Sequence, residues 1–305
     1  AGVNSSRVWI TCSGEVGINI SSAGVVTGAT SAHWSNLDDF FAIAQANGIY
    51  IMATLISFDH FKNTYTTYQS WRNWINSDSN IDTYINSYLI PFLTRYGSNP
   101  ALWSIDLTNE PDWATATETG TDANIPWARF KMFWAKAAVA IHENSEVLVT
   151  VGIGVPKYNC ETCAGTQTNM VGNSALQAVY NNSEAHLDFY SHHYYPWMDA
   201  NWSIPMYVSP TTFGMDTSKP CMIGECPVTG STGHTMTQDY ENAYTNGWQG
   251  VMPWTSNQVD AIGSGLTSLS PATSTFKANH SALVFPTCAT GPTSTPTRTP
   301  TSVCG

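Results

Sequence analysis

Two glutamates stand where a charge is costly. Leu102–Thr108 (LWSIDLT) reads as a buried strand and runs directly into Asn109-Glu110-Pro111, and Met222-Ile-Gly-Glu225 repeats the form, a short apolar run ending in an acid. A single acid there can simply open a loop. Two, on two strands of one sheet, form a candidate reacting pair. One carboxyl that surrenders a proton and one that stays ionised can cleave an acetal linkage. The first protonates the leaving oxygen and later activates water, while the second attacks the anomeric carbon. Such a retaining pair needs about 5–5.5 Å between its carboxyl groups.

A third segment, Ser191-His192-His193-Tyr194-Tyr195-Pro196, ends the strand between the two acids. His193 and Tyr195 could hydrogen-bond both carboxylates, whereas His192 suits the core. Trp254 closes the last apolar run, where an indole can either floor a sugar subsite or pack inward. Arg7 opens another run, and His60 follows a fourth in Ser57-Phe-Asp-His60.

The elements that must position these residues are short apolar runs alternating with helical patterns, which predicts repeated βα units. Strands are expected at Arg7–Thr11, Ile49–Ile56, Leu102–Thr108, Val147–Val151, Leu187–His192, Pro220–Gly224 and Gly250–Trp254. Helices are expected at Trp34–Asn47, with Ser35 as N-cap and Gly48 as stop, at Asn80–Tyr96 and at Trp127–Glu143. Strand-terminal polar residues then have a natural place, because the C-terminal strand ends of a (β/α)₈ barrel build its active site.

Taken in order, Asn109-Glu110-Pro111, His193-x-Tyr195-Pro196, Gly224-Glu225 and a strand-ending Trp254 resemble the clan A glycoside hydrolases, most closely family 5 with its cellulases and β-mannanases. The resemblance runs from about Arg7 to Trp254 and implies an α/β (β/α)₈ TIM barrel. It makes Glu110 the acid/base and Glu225 the nucleophile. Asn109 would bind the 2-hydroxyl of the −1 sugar, His193 and Tyr195 would support the carboxylates, and Trp254 would stack beneath that sugar. Arg7, opening a run like the family's Val-Arg-x-Trp strand, would lie near Glu225 and keep it ionised. His60 resembles a substrate-contacting position, although its spacing departs from the cellulase pattern. No cofactor or metal is implied.

One departure concerns the strand count. In clan A the acid/base ends the fourth strand and the nucleophile the seventh, but here they end the third and sixth. The expectation is a barrel lacking its first strand and most of its first helix, with Ala1-Gly-Val-Asn4 as that helix's tail, and with exposed neighbouring edges. Cys226 after Glu225 is a second departure.

Composition narrows the partner. With a net charge of −11, 11 Lys+Arg and no basic run, nucleic acid is not expected, and no apolar run approaches the ~20 residues needed to span a bilayer. The partner expected is a polysaccharide, β-mannan or cellulose/β-glucan, with Arg7-Val-Trp9 leaning toward mannan, and endo action is the family's usual mode. Only 11% of residues are charged, a balance common in secreted proteins. Residues 1–285 are expected to form the catalytic domain. Residues 286–305 are expected to be a Pro/Thr-rich linker or tail, of the kind that leads to a carbohydrate-binding module in secreted, extracellular enzymes. Seven cysteines favour at least one disulfide over a zinc site at Cys160-Glu-Thr-Cys163. Cys221 and Cys226 lie too far apart along a strand to pair. The rival readings are a catalytically silent carbohydrate-binding barrel and a metal-dependent hydrolase.

Overall fold

The computed structural model describes residues 2–118, 120–256 and 265–284. Its strands are β1 (Ser5–Trp9), β2 (Ile18–Ile20), β3 (Val26–Ala29), β4 (Tyr50–Ser57), β5 (Leu102–Asn109), β6 (Leu148–Ile153), β7 (Tyr190–His193), β8 (Cys221–Pro227) and β9 (Gly250–Trp254). Seven of them form one parallel sheet in the order β1-β4-β5-β6-β7-β8-β9, a nearly closed barrel, and β2 and β3 pair separately as a hairpin. A parallel sheet covered by helices buries both of its faces, so its strands lose the polar/apolar alternation. In β4 every residue after Tyr50 is buried.

The helices are α1 (Ser31–Ala46), α2 (Tyr68–Ile75), α3 (Asp78–Tyr84), α4 (Ile90–Tyr96), α5 (Trp127–Asn144), α6 (Asn173–Gln177), α7 (Met236–Thr245), α8 (Gly265–Asn279) and α9 (Ser281–Val284). Many of the aromatic residues pack beneath them. Trp71, Trp74, Tyr84, Phe133 and Trp134 of α2, α3 and α5 are fully buried, and Trp74 meets Phe133 edge to face at 4.9 Å. Each such ring stabilises the fold by about 1.5–3 kcal/mol through burial.

Several boundaries differ from the sequence expectation. Helix α1 starts four residues before Ser35 because Thr30, in extended conformation, caps it by accepting from the His33 N–H at 3.2 Å. The helix expected from Asn80 starts at Asp78 behind the Ser77 cap, and a π-helical stretch, Ile85–Leu89, joins α3 to α4. That stretch falls just before Pro91, which cannot donate to the preceding turn. Strand β7 begins only at Tyr190, because the Val149 N–H is taken by the Asp188 side chain at 2.7 Å rather than by a neighbouring strand. Strand β8 runs on to Pro227, so Glu225 lies within it. The β2–β3 hairpin was not expected. Residues 2–4, expected as a helix tail, have no helical turn and lead directly into β1.

Cys160 and Cys163 are joined by a disulfide, so neither offers a thiolate to zinc. Cys221 and Cys226 are buried free thiols. No helix among the described residues is long and apolar enough to cross a membrane. The Pro/Thr-rich stretch 286–305 lies outside the described residues.

The outer strands of the sheet, β1 and β9, meet at their C-terminal ends through Trp9 and Trp254, whose rings are 4.8 Å apart. A cleft of about 2670 Å³ lies along these two strands, from Arg7 and Glu225 at one end to Asn4 and Gln249 at the other.

Candidate active site

Asn109, Glu110, His193, Tyr195 and Glu225 lie at or near the C-terminal ends of the barrel strands, above Arg7 and Asp106 within β1 and β5. Glu110 follows β5 in left-handed conformation, φ 46° and ψ 55°, an unusual state for a residue with a side chain. Its backbone N–H donates to the Gly152 carbonyl of β6 at 2.7 Å, which holds that turn in place. Glu225 projects from β8, three strands along the sheet from β5.

His193, ending β7, stands between the two acids. Its Nδ1 is 3.0 Å from Glu110 Oε1 and 3.8 Å from Glu225 Oε2. The ligand atoms of all three residues lie within 4.8 Å of one another. The ring of His193 is buried, and burial, opposed by Glu225, lowers its pKa to about 4, so it is neutral at ordinary pH. Glycines make room for it. A Cβ at Gly152 would come within 2.8 Å of His193 Nε2 and 2.7 Å of Arg7 Nη2.

Arg7 ties the floor together. It donates to Glu225 Oε1 through Nη1 at 2.5 Å, to Asp106 Oδ2 through Nε at 2.9 Å and Nη2 at 2.6 Å, and to Asn109 Oδ1 at 2.7 Å. Its planar fork suits this three-way contact as no lysine could. Asp106 also accepts from Thr54 Oγ1 at 3.1 Å and from the Gly152 N–H at 2.9 Å. The Tyr195 hydroxyl donates to Glu225 Oε2 at 2.8 Å, so both oxygens of Glu225 are held.

Glu110 has a different environment. Burial pushes its carboxyl up to about 7, against the pull of the Arg7 charge. Two carboxyls in such unlike surroundings suit two roles, a proton donor and an ionised partner.

The same arrangement bears on metal binding. Glu110, His193 and Glu225 have the atoms to hold a cation, but the Arg7 guanidinium already supplies positive charge 2.5 Å from Glu225. A second cation beside it would be repelled.

No family model matches the sequence. The chain is 25% identical over 279 residues to a mannan endo-1,4-beta-mannosidase of Cryptopygus antarcticus, covering 84% of this chain and 71% of that protein. It is 27% identical over 284 residues to the protein of the same name from Mytilus edulis, covering 85% and 74%. The crystal structure of an endo-1,4-beta-mannanase from Eisenia fetida superposes with a TM-score of 0.77 at 25% identity, over 89% of this chain and 79% of that one. The chain is a glycoside hydrolase that resembles clan A, family 5.

In this hydrolase, Arg7, Asn109, Glu110, His193, Tyr195 and Glu225 form one connected cluster. Trp254 borders it through Trp9, over which the Arg7 guanidinium sits at 4.5 Å. His60 stands apart. Its ring is buried, with Nδ1 accepting from the Ser57 N–H at 3.2 Å and Nε2 3.2 Å from Thr11 Oγ1. Burial lowers its pKa to about 3, and it packs edge-on against Trp71. It therefore braces the turn after β4 rather than facing the cleft. His192 is also buried, between Phe213 and Trp248.

Sequence reasoning missed four residues of the hydrolase site. Asp106 was legible as a lone acid inside the apolar run LWSIDLT. Asp112, whose carboxyl burial pushes well up, accepts from the Gly154 N–H at 3.1 Å beside Glu110. Trp113 and Trp197 sit in short turns after β5 and β7, with rings 5.7 Å apart. Turns this short leave no periodicity to read.

Proposed function

We propose that this glycoside hydrolase is a retaining, endo-acting β-1,4-mannanase. The observation that carries the mechanism is the short span between the acids, with an oxygen of Glu110 and one of Glu225 within 4.8 Å. An inverting pair stands about 6.5–9.5 Å apart to admit a water, while a retaining pair stands at about 5–5.5 Å. Glu225 attacks the anomeric carbon as Glu110 protonates the departing glycosidic oxygen. Glu110, now a carboxylate, takes a proton from water, which displaces Glu225 and regenerates both acids. Arg7 occupies Asn109 Oδ1 and one N–H of Nδ2 donates to Ser57 Oγ at 3.4 Å, so the second N–H of Nδ2 is the group left to donate to the sugar 2-hydroxyl. That hydroxyl distinguishes mannose from glucose. The substrate is drawn from the relatives, which are named for mannan.

A protein that only bound saccharide would gain nothing from two acids joined through a buried histidine. Reducing-sugar release on β-mannan and on carboxymethyl-cellulose, with E225Q as control, separates the readings. Release from mannan that E225Q abolishes is expected. Saccharide binding by the parent without turnover would sink the enzyme reading, and release from cellulose alone would sink the choice of substrate. The disulfide supports export to an oxidising compartment, where such a polymer, and a carbohydrate-binding module beyond the tail, would be met.

The state of Glu110 sets a pH dependence. Its raised pKa keeps the donor form below about 7, so kcat/KM falls as pH rises through about 7, by about tenfold per unit beyond it. An aryl mannoside with an acidic phenol leaving group needs no proton, so its alkaline fall should vanish. A polymer profile flat from about pH 6 to about pH 9 would contradict the assignment of Glu110.

Aromatic rings line the route of the polymer. Trp197 is 48% exposed beside Trp113, a placement suited to stacking on a sugar face. W197A is expected to raise KM for mannan several-fold, about 1 kcal/mol of lost stacking, with kcat nearly unchanged. An unaltered KM would show that Trp197 does not touch the polymer.

A further inference from the structure

At the opposite end of the barrel, His142 near the end of α5 meets His186 and Asp188 in the segment before β7. His142 Nε2 is 3.1 Å from Asp188 Oδ2, and His186 Nε2 is 3.8 Å from Asp188 Oδ1. The two imidazole rings are 4.4 Å apart, and the three ligand atoms lie within 4.8 Å of one another.

The hydrogen bonds on the far side of each ring fix what the near side presents. His142 Nδ1 is 2.9 Å from the Glu184 carbonyl, and His186 Nδ1 is 3.0 Å from the Ser183 carbonyl. A carbonyl only accepts, so each Nδ1 carries a proton and each Nε2 is the nitrogen turned toward Asp188, with His142 Nε2 at hydrogen-bond distance, 3.1 Å, from a carboxylate oxygen that only accepts. Two ring nitrogens and a carboxylate thus converge on one point, an arrangement that calls for positive charge among them. A proton on one imidazole serves a single contact, whereas a divalent ion serves all three. Histidines whose other nitrogen donates to a backbone carbonyl are also the orientation that metal-binding histidines adopt.

We propose that His142, His186 and Asp188 form a zinc site, built by the loop before β7 against the end of α5. Ligand atoms sharing one zinc sit about 3.3 Å apart. The cluster is within a small side-chain adjustment of that spacing, and His186, 23% exposed, has the freedom to make it. Its open side leaves the fourth position to water. Glu184, with Oε2 3.7 Å from His142 Nδ1, and Asp188, held by the Val149 N–H, anchor the same loop. The ion would fasten α5 to the base of β6 and β7, with no part in the chemistry at the other strand ends.

The test is calorimetric titration of the EDTA-treated full chain with zinc chloride, alongside melting curves with and without zinc. One zinc per chain is expected, with a zinc-dependent rise in Tm. H186A and D188N should each weaken binding by at least ~100-fold and abolish the rise, while E225Q binds zinc like the parent. The amide that D188N introduces can still accept from the Val149 N–H, so this variant separates ligand loss from misfolding. The proposal is overturned if the parent shows no saturable zinc binding, if both H186A and D188N bind as tightly as the parent, or if E225Q is the variant that loses it.

Discussion

E225Q lowers kcat on β-mannan by at least ~10⁴-fold while leaving the fold intact. The side chain accepts from Arg7 at 2.5 Å and from Tyr195 at 2.8 Å, and both contacts serve a carboxylate. Gln keeps the volume and one accepting oxygen, so stability should stay within about 1 kcal/mol of the parent. It cannot form the glycosyl ester, and loss of a nucleophile of this kind removes the route rather than slowing it. Measured kcat within tenfold of the parent would place the nucleophile elsewhere.

The second large effect concerns Arg7, whose side chain is 3% exposed and is the ion-pair partner of both Asp106 and Glu225. R7M removes the only cation paired with either acid among the described residues. Leaving buried charges unpaired costs about 3–5 kcal/mol, so a marked loss of stability in urea is expected, together with loss of turnover. Adding D106N should restore part of the stability, because one of the stranded charges is gone, with a coupling of about 1–3 kcal/mol between the two sites. Turnover should stay lost, since Glu225 still lacks its partner. Strict additivity of R7M and D106N in denaturation would show that the pair is not coupled. Recovery of activity in the double variant would show that Arg7 does not serve Glu225.

Much of this was legible in the sequence because the site breaks the rules of burial. An acid at the end of an apolar run is conspicuous, which is why Glu110 and Glu225 stood out, and the runs themselves located the seven parallel strands of the sheet. Residues that obey local rules gave no such signal. Asp106 hides inside a strand because Arg7, 99 positions away, supplies the charge that makes its burial tolerable. His60 misled in the opposite direction. Its place after β4 resembled a substrate-contacting position, yet its ring closes a capping box with Ser57 in a turn of four residues, too short to read from periodicity. Helix α1 was displaced because two good caps, Thr30 and Ser35, compete within five residues, and only tertiary packing of the preceding hairpin decides between them. The His142, His186 and Asp188 cluster joins a helix end to a loop 44 residues on, and no local ligand spacing announces it.

The most direct test of the central claim is mass spectrometry of the protein after trapping with a 2-deoxy-2-fluoro-mannosyl fluoride, whose intermediate hydrolyses slowly. A mannosyl adduct on the peptide bearing Glu225, and on no other, is the result that retaining hydrolysis through Glu225 predicts. An adduct on a different carboxylate, or steady turnover of mannan by a protein that never takes up the label, would contradict it.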